Sequence, residues 1–159
     1  TLDQLALLAE RELELVATDL SRTDYLQLLL SHCIEPNLPA ACFIFDYPVD
    51  QAALARIEED DSGQRVARRF ELFLAGMEVA NGYFELLDEA EQRTRFEADI
   101  AERARRGYDA VPLDEALLAA LAAGMPECSG VALGVDRLVM VALGIDDIAD
   151  VIAFPQTRR

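Results

Sequence analysis

The chain has 159 residues, 52% of them hydrophobic, with 14 Lys plus Arg against 30 Asp plus Glu, 3 Cys, 1 His and no Trp. A chain of about 150 residues buries roughly 70% of its unfolded surface, so this composition supports a packed core and excludes disorder as the main description. The net charge of −16 repels nucleic acid and anionic membranes at long range, and any nucleic-acid role would need a local basic patch. Cys33, Cys42 and Cys128 form no CxxC and have no His cluster beside them, which argues against a disulfide scaffold or a zinc site and for a reducing, cytosolic compartment. No charged segment followed by an apolar run marks a signal peptide. The longest low-charge run, Val111 to Leu121, is interrupted by Asp114 and Glu115, so none of it reads as a membrane span. The start at Thr1, without Met, suggests a piece of a longer chain.

In chain order, Leu2, Leu5, Leu8, Leu13, Val16 and Leu20 recur as an amphipathic helix would place them. Thr23 can cap a second helix through Tyr25, Leu26, Leu29 and Leu30, ended by Glu35-Pro36-Asn37-Leu38-Pro39. Ala41 to Phe45 is a short apolar run that reads as a buried strand entering a turn at Asp46-Tyr47-Pro48. Asp50 is a plausible cap for a helix carrying Ala53, Leu54 and Ile57, and residues 58–63 form a charged surface turn. From Arg69 to Glu85 an alternating pattern interrupted at Gly76-Met77 predicts an antiparallel hairpin.

After Asp88 a helix is signalled by acids in its first turn, Arg103, Arg105 and Arg106 in its last, and Gly107 as its stop. A shorter helix follows between Pro112 and Gly124. Ser129 to Val135 reads as a strand, Asp136 to Leu143 as a helix stopped by Gly144, and Ile148 to Phe154 as a last strand. These elements predict an α+β domain, an antiparallel sheet flanked by helices.

Glu71, Glu78 and Glu85 recur at intervals of seven, which on one helix would make a solvated stripe. Gly76 and Gly82 would each cost that helix about 1 kcal/mol, and the Phe, Val and Tyr around them favour strands, so the hairpin is preferred. On strands, these acids lie among apolar residues, where a carboxylate stays ionised only beside a cation, a metal or a strong donor. In an unbroken strand Glu78 faces opposite to Asn81, Tyr83 and Glu85. Either a bulge at Asn81-Gly82 corrects this, or the two groups serve different ligands.

Gly130-x-Ala132-x-Gly134-x-Asp136-Arg137 is a second constellation. Small residues at alternate positions open one strand face to a flat ring or a phosphate, and Arg137 sits where a helix begins and can hold an anion with its planar fork. Tight packing of helix on sheet explains the glycines about as well. His32 reads as structural or surface, and Arg103 to Arg106 as a solvated helix end rather than an RNA footprint.

Phe70 to Leu86, together with Gly130 to Met140, resembles the C-terminal half of the class II lysyl-tRNA synthetase catalytic domain, the second segment resembling motif 3 of that class. Asp46-Tyr47-Pro48-x-x-Gln51-Ala52-Ala53-Leu54-Ala55 and Gly124 to Gly134 resemble a shortened branch of the family that modifies elongation factor P with (R)-β-lysine. Lysyl-tRNA synthetases usually carry Ser-Pro-Leu in the first of these segments and Gly at the position of Ala132. The added methyl suits an amino group moved from the α to the β carbon, a volume change worth roughly 1–3 kcal/mol in discrimination.

The resemblance implies ATP and Mg²⁺ as cofactors, with Glu71 and Glu78 as metal ligands, and Val79, Gly134 and Arg137 completing the ATP site. It implies Asn81, Tyr83, Glu85 and Ala132 around the amino acid, Glu85 taking the distal ammonium, and Arg137 as the catalytic residue. It also implies elongation factor P as protein substrate, (R)-β-lysine or lysine as small substrate, and a homodimer formed through an N-terminal half not present here. A tRNA-charging synthetase and a non-catalytic amino-acid-binding module are the alternatives. Residues 1–159 would then be one partial domain lacking motifs 1 and 2, not expected to complete adenylate formation alone.

Overall fold

The computed structural model describes residues 1–17 and 19–155. Among them are five α-helices, α1 (Leu2–Leu13), α2 (Arg22–Leu29), α3 (Glu89–Arg105), α4 (Glu115–Ala123) and α5 (Val135–Leu143). Five strands, β1 (Ala41–Tyr47), β2 (Ile57–Glu59), β3 (Arg65–Leu74), β4 (Met77–Phe84) and β5 (Ser129–Leu133), form a sheet of order β1-β3-β4-β5, with β2 also pairing to β3. The β2–β3 pair is antiparallel, with Ile57 opposite Ala67 and Glu59 opposite Arg65. The α+β class expected from the sequence is the one observed. No helix among the described residues is long and apolar enough to cross a membrane.

The chain divides into two compact units. The first comprises Thr1–Phe45, Phe70–Asn81 and Ala132–Arg159, and the second Asp46–Arg69 and Gly82–Val131. In the first, Ala9, Tyr25 and Leu29 form a buried cluster against which Leu5, Leu8, Leu13 and Cys33 pack. The Tyr25 hydroxyl donates to the Ala17 carbonyl at 2.8 Å, so this ring closes the cluster without leaving its polar end unsatisfied. Phe73, Val79, Ala80 and Met140 are also buried in this unit. In the second, Ala55, Ala67, Leu118 and Leu121 are buried, and Arg93 joins α3 to α4 through bonds to Glu115 at 3.0 and 3.1 Å. Every cation in these ion pairs is an arginine, and the chain contains no lysine.

Local capping chemistry accounts for most boundaries. Asp88 accepts from the Glu91 N–H at 2.8 Å to open α3, Asp114 accepts from the Leu117 N–H at 2.9 Å to open α4, and Gly144, at φ 66°, ends α5. The hairpin turns between Leu74 and Met77 on Ala75 (φ 50°) and Gly76 (φ 78°). Positive φ at both central residues is the signature of a type I′ turn, whose twist matches that of the strands it joins. The Ala75 N–H donates to the Ala40 carbonyl at 2.7 Å, anchoring the turn to the entry of β1.

Five expectations are corrected. The first helix stops at Leu13, because Glu14 enters the left-handed region at φ 53°, although apolar spacing continues to Leu20. The cap of α2 is Ser21, not Thr23: its side chain accepts from the Asp24 N–H while the Asp24 carboxylate receives the Ser21 N–H, a reciprocal box. β1 is not a buried strand, since Phe43 and Phe45 are exposed and packing is concentrated at Tyr47. Asp50 lies in a short 3₁₀ turn (Val49–Gln51) and starts no α-helix; Ala53 has φ 48°, the Arg95 guanidinium takes the carbonyls of Ala53 and Ala55, and Ile57 belongs to β2. Residues 148–154 form no strand: Asp147 accepts from the Ala149 N–H at 2.9 Å and turns the chain into a 3₁₀ turn, Ile148–Asp150.

The turn supplies a direct test. Replacing Ala75 by Asn gives the residue pair that best tolerates two positive φ angles. Ala75→Asn is expected to raise stability by about 1 kcal/mol, seen as a higher urea midpoint with an unchanged slope.

Candidate functional site

The first unit holds Glu71, Glu78, Val79, Asn81, Ala132, Gly134 and Arg137. Arg137 lies in the first turn of α5, whose N-cap is Gly134. Its Nη1 donates to the Glu78 carbonyl at 2.9 Å and reaches Glu78 Oε2 at 3.4 Å. The Gly134 N–H donates to the Val79 carbonyl at 2.9 Å, so backbone and side chain together fasten the start of α5 to β4. A methyl at Gly134 would rest on the Arg137 stem at 3.4 Å, ordinary contact, so this glycine gives clearance above the stem rather than relief of a clash.

Glu78 and Arg137 share a cavity of about 740 Å³ lined also by Glu35, Phe73, Asp146 and Asp147. Four carboxylates against one guanidinium make this an oxygen-rich, electronegative space, which accepts a polyphosphate only together with a divalent counter-ion. Glu71 is buried on β3 with 7% exposure. Among the described residues no three His, Cys, Asp or Glu side chains gather into a metal cage. Mg²⁺ needs no such cage, because it characteristically takes one or two carboxylates plus substrate phosphates, and a pair of glutamates suits that habit.

Asn81 stands beside Glu71, its Nδ2 donating to Glu71 Oε1 at a long 3.5 Å, while its Oδ1 is buried with no hydrogen-bond partner among the described residues. A buried acceptor of this kind costs stability until a donor arrives. β4 does not alternate cleanly here, Val79, Ala80 and Gly82 all being buried, and the side chains sort by partner: Glu78 with Arg137, Asn81 with Glu71. Ala132 is exposed on β5.

Tyr83 and Glu85 belong to the second unit. The Arg69 guanidinium lies 4.5 Å from the Tyr47 ring centroid and 5.9 Å from that of Tyr83, and its Nη1 donates to the Gln51 carbonyl at 3.1 Å. Glu85 has a fully engaged backbone: its N–H donates to the Cys128 carbonyl at 3.0 Å and its own carbonyl accepts from Arg56 Nε at 3.0 Å. The carboxylate, by contrast, receives no donor or cation among the described residues. Burial in these surroundings pushes its pKa above the usual carboxylate range. A Cβ built on Gly130 would lie 2.2 Å from Glu85 Oε1, so the absent side chain at 130 is what gives the carboxylate its place.

Sequence reading named Glu85 and the small-residue strand but missed two groups that hold them. Arg56 and Glu127, joined at 3.0 Å, brace the Glu85 peptide and the segment leading to Gly130. No spacing signal exists for partners 71 positions apart.

Each unit carries one kind of site. An acid-rich cavity with one arginine at a helix start suits a metal-bound polyphosphate, and a partly buried, uncompensated carboxylate suits an organic cation. A family model described as tRNA synthetases class II (D, K and N) matches residues 10–158, and the chain belongs to that family. The elongation factor P–(R)-β-lysine ligase of Proteus mirabilis (strain HI4320) is 52% identical over 143 residues, which are 89% of this chain and 43% of that protein. The protein of the same name from Salmonella gallinarum (strain 287/91 / NCTC 13346) matches with the same identity and coverage. The chain thus spans about two fifths of the length of these relatives.

Two predictions follow from the surroundings of Glu85. Gly130→Ala pushes away the flexible end of that side chain rather than backbone, so stability should change by less than about 1 kcal/mol. The affinity of this carboxylate for an organic ammonium ion, with lysine as the probe in a calorimetric titration, should fall roughly 10- to 100-fold, the worth of a charge-assisted hydrogen bond. Because the folded-state pKa of Glu85 is raised, its stabilising contribution is present below the unfolded-state pKa and is lost as pH rises through the folded value. Glu85→Gln should therefore raise the ligand-free melting temperature by a few degrees at neutral pH and have little effect in acid, read from melting curves across pH.

Proposed function

We propose that the protein containing this chain uses ATP to activate (R)-β-lysine as an aminoacyl-adenylate and transfers the acyl group to a lysine of elongation factor P. The observation that carries the reading is the Glu85 carboxylate, partly desolvated and with no protein cation among the described residues to compensate it. A lysine-like ammonium is the ligand that such a group fits. The relatives at 52% identity bear the name of this activity.

In this reading, Glu85 binds the distal ammonium and Tyr83 walls the aliphatic stem. The orphan Oδ1 of Asn81 accepts from the second amino group, and the Ala132 methyl favours its β position. Val79 and Gly134 flank the nucleotide. Arg137 is the catalytic residue, neutralising phosphate charge as the substrate carboxylate attacks the α-phosphorus and pyrophosphate leaves. Glu71 and Glu78 would hold Mg²⁺, which when bound orients the phosphates and offsets their charge. A neutral lysine amine of the acceptor then attacks the acyl carbonyl and AMP departs. A cytoplasmic, homodimeric enzyme goes with this reading, as do the three free cysteines.

In the full-length protein, pyrophosphate exchange should be at least about tenfold more efficient with (R)-β-lysine than with L-α-lysine, and Ala132→Gly should narrow that ratio. Preference for L-α-lysine by the unaltered protein would favour tRNA charging instead. Failure with both amino acids would leave only the binding module.

A further inference from the structure

Arg56 uses its side chain three times inside the second unit. Its Nε donates to the Glu85 carbonyl at 3.0 Å, its guanidinium carbon lies 4.2 Å from the Phe84 ring centroid, and its Nη1 donates to Glu127 Oε1 at 3.0 Å. The main chain repeats the connection. The Arg56 N–H donates to the Phe84 carbonyl at 2.8 Å, and the Leu86 N–H to the Leu54 carbonyl at 2.9 Å. Glu127 directly precedes Cys128, whose carbonyl receives the Glu85 N–H. One guanidinium thus spans the end of β4 and the segment that leads, two residues beyond Cys128, to the Gly130 position against which the Glu85 carboxylate stands.

We propose that Arg56 is a positioning residue for the ammonium pocket. It fixes the Glu85 peptide relative to residues 127–130, so that the carboxylate keeps the one orientation that Gly130 permits. The inference rests on the reading of Glu85 as the ammonium acceptor. Arg56 touches no substrate in this scheme. Its charge is spent on Glu127 and on the face of Phe84, leaving the Glu85 carboxylate uncompensated among the described residues. The role needs a planar fork, since two acceptors in different directions and a ring face must be served together. A lysine ammonium, with one nitrogen, cannot do all three.

The test uses the full-length protein, with calorimetric titrations of (R)-β-lysine and of Mg-ATP and a melting curve for each variant. Arg56→Ala should weaken (R)-β-lysine binding about tenfold while ATP affinity stays within about twofold, and Arg56→Lys should recover only part of the loss. Glu127→Ala should weaken it in the same direction, about threefold. The Glu127 side chain is 65% exposed, so its removal spares the core, and it decides the matter alone if Arg56→Ala does not fold. Unchanged amino-acid binding in Glu127→Ala and in any folded Arg56→Ala, with binding lost in Glu85→Gln, would overturn the role of Arg56. So would a parallel fall in ATP affinity, amino-acid affinity and melting temperature. Intact binding in Glu85→Gln would instead remove the pocket assignment, and this inference with it.

Discussion

The two-residue turn at Ala75 and Gly76 is the constraint on which the rest of the molecule depends. Side chains alternate along a strand, so a slip of one residue in the hairpin would send every carboxylate of β3 and β4 to the wrong face. The turn suppresses that slip by accepting two positive φ angles, one of them on a residue with a Cβ, and by bonding Ala75 to Ala40. Glu71, Glu78, Val79, Asn81 and Tyr83 all inherit their facing from this register.

Under the proposed function, Glu85 sets binding against stability. Its N–H and carbonyl are both satisfied, whereas its carboxylate has no partner among the described residues in partly desolvated surroundings. A fold selected only for stability would pair that charge or replace it. Here the peptide is held and the carboxylate left open, so under the proposed function little reorganisation would remain when a cation arrives. The orphan Oδ1 of Asn81 is a smaller instance of the same arrangement. Consistency between local preference and overall structure fails at these two places, where a binding site is expected to break it.

The sequence was legible at several places where the controlling interaction was local, though not at the Ser21 cap or the Asp147 turn, which are equally local. Asp88 with Gly107, Gly124 and Gly144 marked helix ends because caps act within four residues, and the glycines at 76 and 82 excluded a helix through the acidic repeat. It was not legible where a distant group took over. Residues 50–57 had a helical pattern, but Arg95 claims two of the carbonyls such a helix would have used, from 42 and 40 positions away. Of the candidate site, Glu71, Glu78, Asn81, Glu85 and Arg137 could be named from residue type and spacing, and the family match covers the segments that carry them. Arg56 and Glu127 could not, because an isolated arginine and a glutamate in a chain with 30 acids carry no pattern. The exposure of Phe43 and Phe45 was equally hidden, since an apolar run does not say which of its faces is covered.

The exclusive use of arginine has a chemical consequence. An acyl-adenylate is an indiscriminate acylating agent towards neutral primary amines, and lysine side chains are the usual source of these in proteins. A guanidinium keeps its proton at any physiological pH and is not a nucleophile there. With no ε-amine among these 159 residues, an activated acyl group held here would find no internal lysine acceptor in this part of the protein. Its charge pairs, from Arg137 with Glu78 to Arg56 with Glu127, would be chemically inert towards such an intermediate. Under the proposed function, the chain's cations could lie close to the reacting carbonyl without diverting it from the acceptor amine.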